Sequence, residues 1–178
     1  MAIATATFAG GCFWCIEAAF NAVHGVHSAI SGYTGGDTQS PTYQDICTGL
    51  SGHAEAVQIQ FDDTQISYQT LLTLFFSLHD ATQLNRQGHD IGSQYRSAIF
   101  YHTPQQKSQA EAFIQSLCDA HVYQESIKTT VVELTSFYPA EDYHQGYYLK
   151  NQNQGYCAMV VTPKFLKFKQ KYHDQLKA

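Results

Sequence analysis

A chain of 178 residues with a net charge of −5 and only 14% charged residues is long enough for one well-filled core and short for two. Its mild acidity argues against a nucleic-acid binder, which needs a basic face. No apolar run approaches the roughly 20 residues of a bilayer span, and residues 1–8 carry no basic stretch before their apolar residues, so they do not read as a secretory signal.

Residues 2–8 alternate small and β-branched side chains and are predicted as a strand, broken by Gly10-Gly11. A helix follows, with Ile16, Ala19, Phe20 and Val23 as its apolar stripe and Gly25 as its stop. Residues 26–33 form a second strand, and a Gly-, Pro- and polar-rich loop covers 34–52. In a third strand, 53–61, Glu55, Val57, Ile59 and Phe61 share one face. Ser67 caps a helix through 79 with Leu71, Leu74, Phe75 and Leu78 inward. A loop over 80–94 leads to a strand over 95–101, then a helix over 104–121 carrying Ala110, Phe113, Ile114 and Leu117 inward. A strand at 128–134, an aromatic loop, a strand at 156–161 and a basic helix complete the chain.

The first six elements run β-α-β-β-α-β. The expected fold is therefore α+β, a single-domain two-layer sandwich over residues 1–178. It has a ferredoxin-like split β-α-β core, a mixed sheet with helices on one face, and added C-terminal elements. Half of the ten Lys and Arg residues fall after Pro163 and read as the solvated face of a terminal helix rather than a partner-binding patch. Much of the excess of Tyr and Phe lies in loops (Phe137, Tyr138, Tyr143, Tyr147, Tyr148, Tyr156), where aromatics suit a pocket lining.

Five cysteines, an odd number with uneven spacing, do not suggest a secreted disulfide framework. The expected compartment is the reducing cytoplasm, where a close pair binds metal or does redox chemistry. Cys12 stands after a strand and a Gly pair, at the first turn of a helix. Unpaired N–H groups and the positive dipole end favour an anion there, so its thiol pKa is expected to be lowered. The glycines allow a sharp turn and close approach of a substrate. Cys15 lies three residues on, on the same side of the helix. The pair can be a disulfide-exchange motif, half of a zinc site, or a sulfoxide- or peroxide-reducing thiol with its resolving partner. No second Cys pair with ligand spacing supports zinc. The intervening Phe13 and Trp14 would cage a methyl or thioether group, whereas a protein disulfide would have to slide past them. Glu55 shares its strand face with core residues, so burial should raise its pKa and keep it protonated, able to donate.

Gly10-Gly11-Cys12-Phe13-Trp14 resembles the signature of the A-type peptide-methionine sulfoxide reductases, which reduce the S epimer at sulfur. The likeness continues through Ser31-Gly32-Tyr33-Thr34-Gly35-Gly36, Pro41-Thr42-Tyr43, Gly52-His53-Ala54-Glu55, Asn85-Arg86-Gln87-Gly88-His89-Asp90, Gln94-Tyr95-Arg96-Ser97, Tyr143-His144-Gln145 and Gly155-Tyr156-Cys157. The resemblance implies that Cys12 is the nucleophile and Glu55 the acid that protonates the sulfoxide oxygen. It implies that Phe13 and Trp14 hold the methyl group, and that Tyr43, Asp90 and Tyr95 hydrogen-bond the oxygen, directly or through water. Cys12 would become a sulfenic acid, condense with a second thiol, and be regenerated by thioredoxin, with no cofactor or metal.

Many members of that family carry Gly at the position of Cys15 and resolve with cysteines near the C-terminus. Here Cys15 is the favoured resolving thiol, since a disulfide requires Cα atoms within about 7 Å, and Cys157 is the alternative, expected in a regular strand. Cys118 is expected in the core and Cys47 as a packed thiol of no assigned role. A monomer is expected. A general thiol–disulfide oxidoreductase and a metal-binding module are the other classes; neither gives Phe13, Trp14 or Glu55 a role.

Overall fold

The computed structural model describes residues 3–177; Ala2, expected to begin the first strand, lies outside them. Strands β1 (Ile3–Gly10), β2 (Val26–Thr34), β3 (Ala54–Asp62), β6 (Ser97–Tyr101), β7 (Thr130–Glu133) and β8 (Phe137–Pro139) form one sheet in the order β7-β6-β1-β3-β2-β8. Its centre, β6-β1-β3-β2, is antiparallel throughout, whereas β7 joins β6 in parallel. That is the split β-α-β arrangement, made mixed by one added strand. A two-residue hairpin, β4 (Arg86–Gln87) and β5 (Asp90–Ile91), stands apart.

Helices α1 (Phe13–Asn21), α3 (Tyr68–Ser77) and α4 (Pro104–Asp119) cover one face. Strand alternation decides which side chains meet them. Phe8, Val57, Ile59 and Phe61 pack with Ile16, Phe20, Leu71 and Phe75 in one buried cluster. The Phe8 and Phe75 rings stack 4.7 Å apart. Each such side chain contributes roughly 1.5–3 kcal/mol by leaving water. The opposite face carries small residues, Ala9, Ala54, Ala56 and Ala98, beneath Phe100, Leu134 and Phe137. Ser67 and Thr103 cap α3 and α4 through their side-chain oxygens, as Ser67 was expected to do.

Three expectations are corrected. Residues 156–161 are not a strand: Cys157–Val161 is a π-type turn running into α6 (Thr162–Lys171). A six-residue apolar run fits either period. Pro163, at the first turn of α6, has no N–H to give the preceding turn, which suits a widened ladder there. The long loop after β2 contains a short helix, α2 (Tyr43–Cys47), closed by a reciprocal Thr42–Asp45 capping box. The aromatic loop contains β8, paired with β2 through Gly32, Tyr33 and Thr34, followed by the short helix α5 (Tyr147–Lys150). No described helix is long and apolar enough to cross a membrane.

Candidate active site

The chain leaves β1 at Gly10 and turns through Gly11 at φ +96°, so that Cys12 becomes the N-cap of α1. The glycines clear room for neighbours behind the turn. A Cβ on Gly11 would lie 2.8 Å from the Gln87 side chain, and one on Gly10 would meet Phe75 and His79. They serve packing more than the approach of a substrate. The cap leaves two amide donors facing the site: Phe13 N–H donates to Glu55 Oε1 at 3.2 Å, and Trp14 N–H favours the Cys12 thiolate although the Cys12 side chain makes no capping hydrogen bond.

Those donors do not lower the thiol overall, contrary to expectation. Burial pushes the Cys12 thiol well up, the neighbouring Glu55 charge adds to this, and the Trp14 N–H and Tyr156 hydroxyl only partly compensate. A helix start is worth about half an elementary charge, which does not offset the desolvation of the thiol within the cleft. Glu55, 2% exposed, is pushed up to about 8 by burial, with the Phe13 N–H opposing and Asp90 adding to the rise. At neutral pH the carboxyl is therefore a neutral acid, and the charge that would repel a Cys12 thiolate is absent.

Both groups face one cleft of about 190 Å³, lined by Cys12, Phe13, Trp14, Tyr43, Glu55, Asp90, Tyr95, Gln154 and Tyr156. Every substrate-binding residue expected from sequence is among them. One wall is aromatic. Phe13 is buried beside Tyr33 and His144. The Trp14 indole stacks on Tyr147 at 4.0 Å and 14° and donates its N–H to His144 Nδ1 at 3.1 Å. The other wall is polar. Tyr43 begins α2, where its N–H donates to Glu141 Oε2 at 2.9 Å. His53 pins the loop that carries α2, accepting the Gly36 N–H at 3.1 Å. Asp90 is presented by the β4–β5 hairpin, which Gln87 holds through both backbone groups of Asp80. Tyr95 ends a 3-10 turn just before β6. Burial pushes the Tyr43, Tyr95 and Tyr156 phenols far up, with Glu55 adding for Tyr43 and Tyr95 and Cys12 for Tyr156, so all three are neutral donors.

A thiol, a neutral carboxylic acid and three phenols opposite an aromatic cage can hold a small, polar S–O group next to a methyl. Residues 4–177 match the family model described as peptide methionine sulfoxide reductase. The chain is 54% identical over 169 residues, 95% of its length and 96% of the relative's, to the peptide methionine sulfoxide reductase MsrA of Pasteurella multocida. The chain belongs to the peptide methionine sulfoxide reductase family. Its fold matches methionine sulfoxide reductase A of Corynebacterium diphtheriae (TM-score 0.77, 36% identity, 88% of this chain and 78% of that one). It also matches reduced Mxr1 of Saccharomyces cerevisiae (TM-score 0.78, 31% identity, 86% and 88%). The activity that goes with this membership is thiol-dependent reduction of methionine sulfoxide.

For a methionine sulfoxide reductase two things were missed in the sequence. Tyr156, expected only as one of several loop aromatics suited to a pocket lining, lines the cleft, and its hydroxyl donates to Asp90 Oδ2. The segment 141–148 supports the cage from behind. Buried Glu17 accepts the Gly146 N–H at 2.9 Å, and Gln145 bonds both Ser31 backbone groups.

The remaining thiols divide sharply. Cys15 and Cys157 are buried and outside the cleft lining, and burial pushes Cys15 up to about 11. Cys47 and Cys118 are exposed, which corrects both expectations of packed thiols. Burial along α4 fades from Ala110 to half-buried Phe113, Ile114 and Leu117, so its last turn, with Cys118, is solvated. Cys47 closes α2.

Proposed function

We propose that the chain reduces the S epimer of methionine sulfoxide, free or within a protein, with Cys12 as nucleophile and Glu55 as general acid. In this reading Phe13 and Trp14 hold the methyl group, while Tyr43, Asp90 and Tyr95 bind the oxygen. Cys12 sulfur attacks the sulfoxide sulfur as Glu55 gives its proton to the oxygen. The S–O bond breaks, the oxygen passes to the Cys12 sulfur as the transient S–S bond opens, methionine leaves reduced by two electrons, and Cys12 is oxidised to the sulfenic acid. The Cys15 thiol then attacks the Cys12 sulfur, water leaves, and a disulfide closes. An external dithiol, thioredoxin, returns the two electrons by exchange.

The observation that carries the reading is the pairing of Cys12 with a neutral Glu55 at one cleft, their elements joined by the Phe13 N–H. Cys15 is supported as the resolving thiol because it lies in the first turn of α1, three residues from Cys12 at its N-cap; Cys157 stays the alternative. Thioredoxin is supported by the structure of Mxr1 in complex with Trx2, which shares this fold (TM-score 0.56, 22% identity, 82% of this chain and 84% of that one). A general disulfide exchanger has no use for the Phe13, Trp14 and Glu55 that line the cleft beside Cys12. We read residues 1–178 as one catalytic domain, acting as a monomer in the reducing cytoplasm, where the Cys12–Cys15 disulfide can be reopened.

Dithiothreitol-driven turnover of the separate epimers of N-acetylmethionine sulfoxide tests the reading. The S epimer should react and the R epimer should not, and Cys12→Ser should abolish turnover without unfolding the chain. Equal rates on both epimers, or activity in the Cys12→Ser variant, would overturn it.

A further inference from the structure

Glu17 is 4% exposed and is not among the residues that line the cleft. No cation is paired with it, since the two ion pairs among the described residues lie elsewhere. Burial raises its pKa, with the Gly146 N–H and the Ser31 hydroxyl opposing the rise. An acid placed in a core without a counter-charge costs free energy, and an apolar residue would fill the space as well. Its hydrogen bonds are what an apolar residue could not supply.

Glu17 Oε1 accepts the Gly146 N–H at 2.9 Å and the Ser31 hydroxyl at 3.3 Å, and Oε2 shares the Gly146 N–H at 3.2 Å. The carboxyl thus joins α1 to β2 and to the N-cap of α5. Gly146 stands between the two residues that grip Trp14. His144 accepts the indole N–H, and Tyr147 stacks on the indole. At φ +66°, Gly146 takes a left-handed turn that a side chain would strain. Trp14 and Glu17 are three residues apart on α1, hence neighbours on its surface. The other anchors of this segment, Gln145 on Ser31 and Glu141 on Tyr33, run to the sheet. Glu17 ties it to the helix that carries the indole.

We propose that Glu17 is a positioning residue that fixes the width of the methyl cage, and with it the preference for S-methyl over longer S-alkyl sulfoxides. The inference rests on the sulfoxide-reductase reading of the same cleft and adds a source of selectivity to it. Two rings discriminate by size only if they cannot retreat. Phe13 is buried against Tyr33 and His144. Trp14 is half-buried and depends on His144 and Tyr147 for its position. When the Gly146 bond to Glu17 is lost, those two residues move outward with their segment, the indole follows, and the cage admits one more methylene.

The test is Glu17→Met, which keeps the length of the side chain and removes both acceptors, with Glu17→Gln, which keeps one neutral acceptor, as a second variant. Dithiothreitol-driven turnover is compared on the S epimer of N-acetylmethionine sulfoxide and the corresponding epimer of N-acetylethionine sulfoxide. Acrylamide quenching of Trp14, the sole tryptophan, is read without substrate. A fitted apolar pocket separates substrates differing by one methylene by about 10- to 200-fold in kcat/KM. Glu17→Met should narrow the wild-type ratio by about 3- to 10-fold, the scale of one hydrogen bond. Its loss on the methyl substrate should fall mainly in KM, and its indole should be more readily quenched. Glu17→Gln should lie between, narrowed by about twofold. A wild-type ratio in Glu17→Met, or equal losses on both substrates, would overturn the proposal, because a carboxyl that only stabilises the fold affects both alike. If Glu17→Met does not fold, the ratio in Glu17→Gln decides by the same criterion. If wild type reduces neither sulfoxide, the function reading fails, and the quenching comparison still reports whether Glu17 holds the indole.

Discussion

The indole N–H of Trp14 donates to Nδ1 of His144 at 3.1 Å, which fixes one wall of the cleft from a loop 130 residues away in the chain. His144 is buried, and burial holds its pKa below the usual imidazole value, with Glu141 partly opposing, so Nδ1 remains an acceptor at neutral pH. His144→Phe keeps a ring but removes the acceptor, leaving the indole N–H unpaired at a cost of about 1–3 kcal/mol. The KM for the sulfoxide should rise while the Glu55 and Cys12 chemistry is untouched. His144→Asn, which keeps an acceptor on a short side chain, should recover part of the loss. Trp14 is the sole tryptophan, so its fluorescence reports the loosened cage directly.

Glu55 links activity and stability with opposite signs. Its carboxyl titrates at about 8 in the folded chain and near 4.3 in an unfolded one. Between those values the folded state binds more protons, so stability falls as pH rises through the window. Glu55→Gln removes the penalty and should stabilise the protein at pH 7 by on the order of 3 kcal/mol. The same substitution should slow sulfoxide reduction by about 10²- to 10⁴-fold. In wild type the rate should decline above pH 8 as the acid ionises. Thermal melts and single-turnover rates across pH 5–10 check both trends.

Gly11 is a turn that a side chain cannot replace. Its φ of +96° costs a non-glycine residue roughly 1–2 kcal/mol, and a Cβ would press on Gln87 at 2.8 Å. Gln87 anchors the hairpin that presents Asp90. Gly11→Ala should lower the Tm and weaken sulfoxide binding together. Adding Gln87→Ala should relieve the clash without restoring the Asp90 position, so Tm should recover more than KM.

Resolution of the sulfenic acid requires a buried thiol to move. Cys15 is held at about 11 by burial and lies in the first turn of α1, three residues from Cys12, so opening that one turn exposes it. Cys157 lies within the π-type turn, its N–H bonded to Gln154 Oε1 at 2.9 Å. In single turnover without reductant, Cys15→Ser should accumulate a dimedone-reactive Cys12. Cys157→Ser should close its disulfide at the wild-type rate. The reverse pattern would assign resolution to Cys157.

Much of this site was legible because its signals are local. Alternation along residues 53–61 placed Glu55 on the core face, and the Gly pair, Cys12 and the two aromatics are contiguous. The β-α-β-β-α-β order emerged from period-2 and period-3.6 patterns alone. What escaped depends on contacts distant in sequence or on competing energies. Residues 156–161 have a strand-like composition, yet they coil ahead of Pro163. Nothing near Tyr156 signals that its hydroxyl meets Asp90, 66 residues away. The direction of the Cys12 shift turned on desolvation outweighing a helix start, and sequence shows the helix start but not the cleft around the thiol.

The most direct test of the account is the stoichiometry of one turnover. Reduced protein mixed with excess S epimer of N-acetylmethionine sulfoxide, without reductant, should release one methionine product per chain and lose two thiols, with Cys12 in the resulting disulfide. No methionine product, or the same yield from Cys12→Ser, would contradict it.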